Sequence, residues 1–396
     1  PYVSCNFTDL RIGESVLDPY VIKDFDGLKI AFVGICTPQT ITSSTPKYFQ
    51  DEAGEFIYGF QQDESGAALY ACVQNAVNAA RAEGADLVVA VAHLGIDEAS
   101  SPWTASEVIA NTTGIDALID GHSHSVVAAK VLDKEGKTVV HMQTGTKLAN
   151  IGQLTISADG SRIEGALVSN YTGKDAETEA FIEDIKAKFE SLLKEVVAKT
   201  DVDLITVDPE SGERIIRNAE TNLADLCTDA YKAVSGAEIA FVNGGGIRAD
   251  IPAGDITYEQ VIAVHPYGNK LTVVEATGQQ ILDCLEYSTY KWPSEFGGWQ
   301  EVAGLTFEFH TYIESSVQRD ENGMFAGVTG EYRVKNVLVN GEPLDPEKIY
   351  TVASHNYMLK DGGDGFNMFQ GDKILQDEVM LDNQVLITYI RDYLGG

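Results

Sequence analysis

Three of the seven histidines fall where a layered α/β sheet would deliver ligands. His93 follows the apolar run 86–92 and precedes Gly95, while the run 115–120 leads into Gly121-His122-Ser123-His124. Such strand ends line the crevice of an α/β sheet. Imidazole is the commonest nitrogen ligand for zinc, manganese or iron. Each histidine taken singly reads more simply as a hydrogen-bonded side chain. One histidine at a strand end, with two more a single residue apart at another, makes a metal site the better reading. Gly121 permits the turn that lets His122 and His124 reach neighbouring positions.

A second constellation lies later in the chain. Arg217 precedes the block Asn243-Gly244-Gly245-Gly246-Ile247-Arg248. The planar guanidinium fork forms paired, charge-assisted hydrogen bonds with phosphate. Three glycines let bare backbone approach an anion, although a glycine run by itself is more often a plain turn. Tyr267, within His265-Pro266-Tyr267-Gly268-Asn269, and Tyr357, ahead of Gly362-Gly363-Asp364-Gly365-Phe366, could hold a flat base between two rings. An acid nearby could accept ribose hydroxyls. An isolated tyrosine would otherwise pack into the core or its rim.

The elements that must position these residues follow from apolar periodicity. Residues 28–36 and 86–92 read as strands around a helix at 64–83, and 115–120, 138–143, 152–157 and 162–169 continue as strands without long helices. Apolar residues at Phe181, Ile185, Phe189, Leu192 and Val196 are spaced along one face of a helix over 176–199, with acids at its start and lysines towards its end. A fresh α/β pattern follows. It has strands at 202–207, 238–242, 271–276, 305–309 and 350–354 and helices near 219–234, 277–290 and 382–393. The organisation expected is therefore a first domain over 1–174, a linker helix over 175–200 and a second domain over 201–396.

With 396 residues, 44% of them hydrophobic, the chain is long enough for two substantial cores. No apolar run reaches the roughly 18–20 residues of a membrane span. The formal charge of −32 argues against nucleic-acid binding through a basic surface, so any phosphate site must be local. Five scattered cysteines, with no Cys-x-x-Cys pair, argue against a disulfide framework and a thiolate zinc site. The chain opens at Pro1, without a basic and then apolar leader, so it reads as processed or as part of a longer chain.

The succession Ala-His-Leu-Gly, Ile-Asp-Ala-Leu-Ile-Asp-Gly-His-Ser-His and Met-Gln-Thr-Gly resembles the latter half of the calcineurin-like metallophosphoesterase domain of 5'-nucleotidases. The order Asn-Gly-Gly-Gly-Ile-Arg, Pro-Tyr-Gly-Asn, Gly-Gly-Asp-Gly-Phe resembles their C-terminal domain over essentially all of 201–396. The resemblance implies a layered α/β fold: part of a four-layer α/β/β/α metallophosphoesterase domain, joined by a helix to a second α/β domain. It implies divalent metal ions, two in the intact family site, of zinc, manganese or a similar kind. His93 and His122 would ligate one and His124 the other. It further implies phosphate contacts from Arg217, Asn243 and Arg248, base stacking by Tyr267 and Tyr357, and ribose recognition by Asp364. The partner would be a nucleotide or nucleoside, and the location extracellular, cell-surface or periplasmic.

The sequence also departs from that family. The Asp-x-His, Gly-Asp and Gly-Asn-His blocks that open its metallophosphoesterase domain have no counterpart in the first domain. Pro1–Asn6 resembles the segment that follows them, so roughly 100 preceding residues are expected in the parent, on ordinary domain size. Those would carry the carboxylate bridging the metals and the general-acid histidine. Residues 1–396 alone are therefore expected to be inactive or impaired unless the preceding fragment is supplied. Tyr267 and Tyr357 stand where the family often has Phe. Tyr357 also lies one residue farther from Asp364 than is usual, which leaves Met358 as a possible equivalent. Two related activities, 2',3'-cyclic-nucleotide phosphodiesterase and UDP-sugar hydrolase, share the same blocks. A non-catalytic nucleotide-binding or surface-interaction protein is the alternative from another class.

Overall fold

The computed structural model describes residues 2–396, which divide into two compact units. One comprises the chain through Ile41 with Lys47–Gly173; the other comprises Thr42–Pro46 with Lys174–Gly396.

The first unit is built on a six-stranded sheet. Its strands are β1 (Tyr20–Phe25), β2 (Leu28–Cys36), β3 (Leu87–His93), β4 (Ala117–Asp120), β5 (Val126–Leu132) and β6 (Thr138–Thr144), in spatial order β1-β2-β3-β4-β6-β5. The four central strands run parallel, in a register that sets Cys36 beside His93 and Asp120 beside Gln143. One face is covered by α1 (Ala67–Ala82) and α2 (Ala105–Asn111). Leu69, Val73, Ala76, Val77 and Ala80 make the buried stripe of α1 and pack on Val33, Val88 and Leu118. Full burial of each larger aliphatic contributes about 1.5–3 kcal/mol. A reciprocal Thr104–Glu107 capping box starts α2.

The hairpin β7 (Asn150–Ile156) and β8 (Ile163–Ser169) covers the other face, setting Leu154, Ile156, Ile163 and Leu167 against Val89, Ala117, Val140 and Met142. This unit thus shows three layers of the α/β/β/α order. The hairpin does not reach the carboxyl ends of the central strands, where Val91 is 44% and Ile119 38% exposed. Central parallel strands are ordinarily covered on both faces.

In the second unit, α3 (Ala176–Leu193) begins on an Asp175 cap, and none of its residues is buried. The helix ends at Leu193, short of the expected 199, because Val196–Thr200 forms β9 and pairs with Gly254–Thr257. β-branched residues at 196 and 197 favour that strand. The strand expected at 202–207 reduces to isolated bridges at Leu204 and Val207. There the Asp250 carboxylate takes both the amide and the hydroxyl of Thr206, groups a longer ladder would need free.

The main sheet runs β13-β10-β14-β12-β15, from β10 (Ile239–Asn243), β12 (Leu271–Thr277), β13 (Gln300–Ala303), β14 (Ile349–His355) and β15 (Ile374–Gln376), counting Gly254–Thr257 as β11. Helix α4 (Asn222–Ser235) packs Leu223, Cys227 and Tyr231 on one face against Ala240, Val242 and Ala353. The opposite face buries Ile239, Phe241 and Val352 with Ile281 and Leu285 of the helix Gly278–Ser288. The last expected helix splits into a regular Asp382–Thr388 and a wider turn over Tyr389–Tyr393.

Candidate functional site

His93 is the last residue of β3, and the Gly121–His124 segment leaves the end of β4. His122 and His124 have φ of 81° and 59°, a left-handed conformation uncommon for residues with side chains. Buried Asp120 holds the two loops together. It accepts from the Leu94 amide at 2.8 Å, the Gly95 amide at 3.0 Å and Gln143 Nε2 at 3.2 Å, with His141 Nε2 3.6 Å away. Burial by itself would raise the Asp120 carboxyl; the nearby His141 imidazole and the hydrogen bonds from the neighbouring amides outweigh it and hold it low. Gln143 Oε1 in turn receives the Ser125 amide and the Ser123 hydroxyl. A side chain at Gly121 would meet His93 Nδ1 at 3.0 Å, so glycine there lets the two loops close.

The result brings the His93 and His122 rings together, with centroids 5.0 Å apart and planes at 61°. Gln39 fixes which His122 nitrogen carries the proton. Its Nε2 donates to the Ala99 carbonyl at 2.8 Å and its Oε1 accepts from Ser100 Oγ at 3.1 Å, so the oxygen is the atom 2.7 Å from His122 Nε2. His122 therefore donates from Nε2 and keeps its lone pair on Nδ1. This is the arrangement in which metal-ligating histidines are usually held. The spacing fits two imidazoles on one ion at metal–nitrogen distances of about 2.0–2.1 Å. Among the described residues, however, no three His, Cys, Asp or Glu side chains, His124 included, form a group able to hold a metal. The pair fits part of a coordination shell and does not complete one.

In the second unit, Asn243 ends β10 and Gly244–Gly246 makes one tight helical turn. A Cβ on Gly244 would fall 1.9 Å from the Ile216 carbonyl oxygen, so this glycine is required for the 216–217 segment to lie against the turn. That approach delivers Arg217. Asn243 Nδ2 donates to Asp364 Oδ2 and to the Gly297 carbonyl, each at 3.0 Å, and Asn243 Oδ1 lies 3.0 Å from His355 Nε2. Burial lowers Arg217 to about 10, with Arg214 and Arg248 adding repulsion. Its Nε has no hydrogen-bond partner. Burial raises Asp364 to about 6 against the pull of Arg217, Tyr357, Asn243 and Lys291.

Arg248 Cζ stands 6.0 Å from the centre of the Tyr267 ring, which is 60% exposed. The Tyr357 hydroxyl receives the Asp364 amide at 3.0 Å and lies 3.3 Å from the Thr42 and Ser43 carbonyls. Met358 is 2% exposed and packs in the core. Of the two neighbours, Tyr357 is thus the one beside Asp364. All six residues expected for substrate recognition, Arg217, Asn243, Arg248, Tyr267, Tyr357 and Asp364, belong to this one region.

Sequence reasoning assigned no role to several residues that brace these sites. Gln39 carries no motif, and Asp120 and Gln143 lie inside quoted blocks in which only the histidines were given roles. His265 sits inside a block already singled out and His355 lies two residues ahead of Tyr357; both are buried behind the triglycine turn. Burial lowers His265 to about 4 and His355 to about 3, leaving both imidazoles neutral.

The family model described as 5'-nucleotidase, C-terminal domain, matches residues 196–371, beginning at the first residue of β9. The crystal structure of a 5'-nucleotidase precursor from Thermus thermophilus superposes with a TM-score of 0.77 at 26% identity, over 99% of this chain and 75% of that one. Residues 196–371 thus form a 5'-nucleotidase C-terminal domain. The chain is 30% identical over 371 residues to the trifunctional nucleotide phosphoesterase protein YfkN of Bacillus subtilis, a match covering 88% of this chain and 24% of that protein. It is 25% identical to the cell wall protein Lmo0130 of Listeria monocytogenes, over 94% of this chain and 48% of that protein. The nucleotidase-like chain thus spans a quarter to a half of the length of these two relatives. A second family model, bacterial capsule synthesis protein PGA_cap, matches residues 14–143 in the first unit.

Proposed function

We propose that this chain recognises nucleoside monophosphates through its second unit and contributes part of a divalent-metal centre through its first, as a metal-dependent phosphoric ester hydrolase of the 5'-nucleotidase type. The observation that carries the reading is the assembly of Arg217, Asn243, Arg248 and Asp364 around the triglycine turn. Arg217 and Arg248 supply positive charge for phosphate in a chain of net charge −32. At physiological salt that background is screened beyond about 8 Å, so two guanidinium groups dominate locally. Tyr267 and Tyr357 offer ring faces for a base, each worth about 1–3 kcal/mol, and Asp364 offers a carboxylate for ribose hydroxyls.

His93 and His122 would supply imidazole nitrogens to a divalent ion, with His124 the third ligand that the family resemblance nominates. In this family such ions polarise the phosphoryl group and lower the pKa of bound water. Imidazoles alone lack the carboxylate that, by the resemblance, bridges the two ions, so residues 1–396 alone should bind nucleotide and hydrolyse it poorly. The exposed Val91 and Ile119 support this reading, since further chain covering that face would lie at the histidine end of the sheet. The likeness to a Listeria cell wall protein supports an extracellular, cell-surface or periplasmic location.

Isothermal titration with AMP and adenosine, followed by phosphate release with manganese or zinc, tests the proposal. AMP should bind more tightly than adenosine, with turnover far below that of an intact 5'-nucleotidase. Turnover at the intact level would overturn the impaired reading, and absence of binding to both ligands would overturn the recognition site. Profiling 2',3'-cyclic nucleotides and UDP-sugars separates the related activities. Binding without turnover, even after a preceding fragment is added, would instead favour a non-catalytic nucleotide-binding protein.

A further inference from the structure

Away from both constellations, three of the five cysteines meet in the first unit. Cys72, on the second turn of α1, donates from Sγ to the Cys5 carbonyl at 2.9 Å. The Cys5 and Cys72 thiols are close enough to shift one another, and Cys36 at the end of β2 is near enough to act on Cys5 electrostatically. All are free thiols. Their accessibility differs, because Cys5 is 3% exposed whereas Cys72 is only half-buried.

We propose that Cys5 and Cys72 are a dithiol pair that is reversibly oxidised to a disulfide by exchange with a small external disulfide. The reactive form of a thiol is its thiolate, and exchange proceeds through a mixed disulfide. Cys72 is the attacking thiol: it reaches solvent, and the neighbouring Cys5 thiol lowers it, whereas the Cys72 contact and burial raise Cys5. The Cys72 thiolate attacks one sulfur of the external disulfide and expels the first thiolate. Cys5 then loses its proton to solvent and attacks Cys72 Sγ, forming the Cys5–Cys72 bond and expelling the second thiolate. Two protein thiols are oxidised, two protons leave, and two electrons reduce the external disulfide to two thiols.

The bond would close a loop between residues 67 positions apart, tying the first strand-like segment to α1. Such a closure restricts the unfolded chain and raises stability. The neighbouring Asn6 side chain already bonds both backbone groups of Cys36 and the Phe60 carbonyl, so the staple would reinforce an existing junction. That junction lies three residues ahead of Gln39, which holds His122.

The test incubates the whole reduced chain with oxidised glutathione, alkylates remaining thiols after denaturation and maps tryptic peptides by mass. Cleavage at Arg11, Lys29, Lys47 and Arg81 places Cys5, Cys36 and Cys72 on separate peptides. The expected result is three alkylated cysteines, one linked peptide pair joining Cys5 to Cys72, a higher melting temperature, and reversal by dithiothreitol. Cys72→Ser, at a half-buried position, should abolish the link, and Cys36→Ser should leave it intact. Five alkylated cysteines, a stable glutathione adduct on Cys72, or a link that involves Cys36 would overturn the proposal.

Discussion

The Asn243 amide donates to the Asp364 carboxylate at 3.0 Å across 121 residues of sequence, and His355 approaches the other atom of the same amide. One side chain at a strand end thereby holds an acid that sits in left-handed backbone at φ 53°. The acid is held in a set position, at the cost of burying its charge. Burial raises the Asp364 carboxyl to about 6.

Adenosine affinity should therefore depend on pH, since a carboxylate accepts ribose hydroxyls better than a protonated acid. With the group at about 6, only about one-tenth is ionised at pH 5, so binding should be about tenfold weaker at pH 5 than at pH 7. Adenosine is the ligand to titrate, because the phosphate of AMP also ionises near pH 6. Asp364→Asn should flatten the profile; an unchanged slope in that variant would reject the assignment.

Phosphate and base recognition should separate by mutation. Arg217→Ala and Arg248→Ala should each weaken AMP by roughly 10–100-fold, the loss expected for a charge-assisted contact of about 1.5–3 kcal/mol. Adenosine should lose little. Calorimetry on both ligands checks this, and equal losses for the two would point to a collapsed site instead.

Gly244→Ala tests the close approach of the 216–217 segment. The added methyl would meet a backbone carbonyl, which cannot rotate away as a side-chain end could. The strain should lower stability by about 1–3 kcal/mol and weaken AMP binding through displacement of Arg217. Thermal unfolding and titration report the two effects separately.

Glu301 offers a stability test away from ligand. It is buried with Oε1 unpartnered, and burial, then Asp225 and Glu220, raise it to about 9. Its folded-state value lies above the unfolded one, so its contribution is present at low pH and lost as pH rises from about 4.5 towards 9. Glu301→Gln should accordingly raise the melting temperature at pH 8 and change it little at pH 4.5. A stabilisation independent of pH would argue against this titration.

The Gln39–His122 contact makes a spectroscopic prediction. In metal-free protein, nitrogen-15 spectra of labelled histidine should show His122 as the Nε2–H tautomer, assigned by comparison with His122→Gln. Gln39→Leu removes the acceptor and should let the Nδ1–H form appear. An Nδ1–H tautomer in the unsubstituted chain would contradict the hydrogen-bond direction.

Much of the first unit was legible because its signals are local. The strand over 28–36 and the placement of His93 and Gly121–His124 at strand ends follow from apolar runs and the residues that interrupt them. The helix over 176–199 shows where such reasoning overreaches. The apolar spacing continues to Val196, but pairing with Gly254–Thr257 takes 196–200 into a sheet, and the apolar face of the remaining helix is not buried. Periodicity reports what a segment can do alone; a strand partner some 60 residues away decides what it does.

The sequence by itself determined that two α/β patterns follow one another, which residue types are offered for the proposed metal and nucleotide recognition, and the resemblance of the later part to a 5'-nucleotidase C-terminal domain. Only tertiary structure decided that His93 and His122 face one another without, among the described residues, a third converging ligand. It also decided that Tyr357 rather than Met358 stands beside Asp364, and that Cys5 meets Cys72. The physical reason is the same in each case. Side-chain type and short-range period are written along the chain, whereas proximity between distant residues is set by how whole elements pack and by buried groups, such as Asp120 and Asn243, that must find partners.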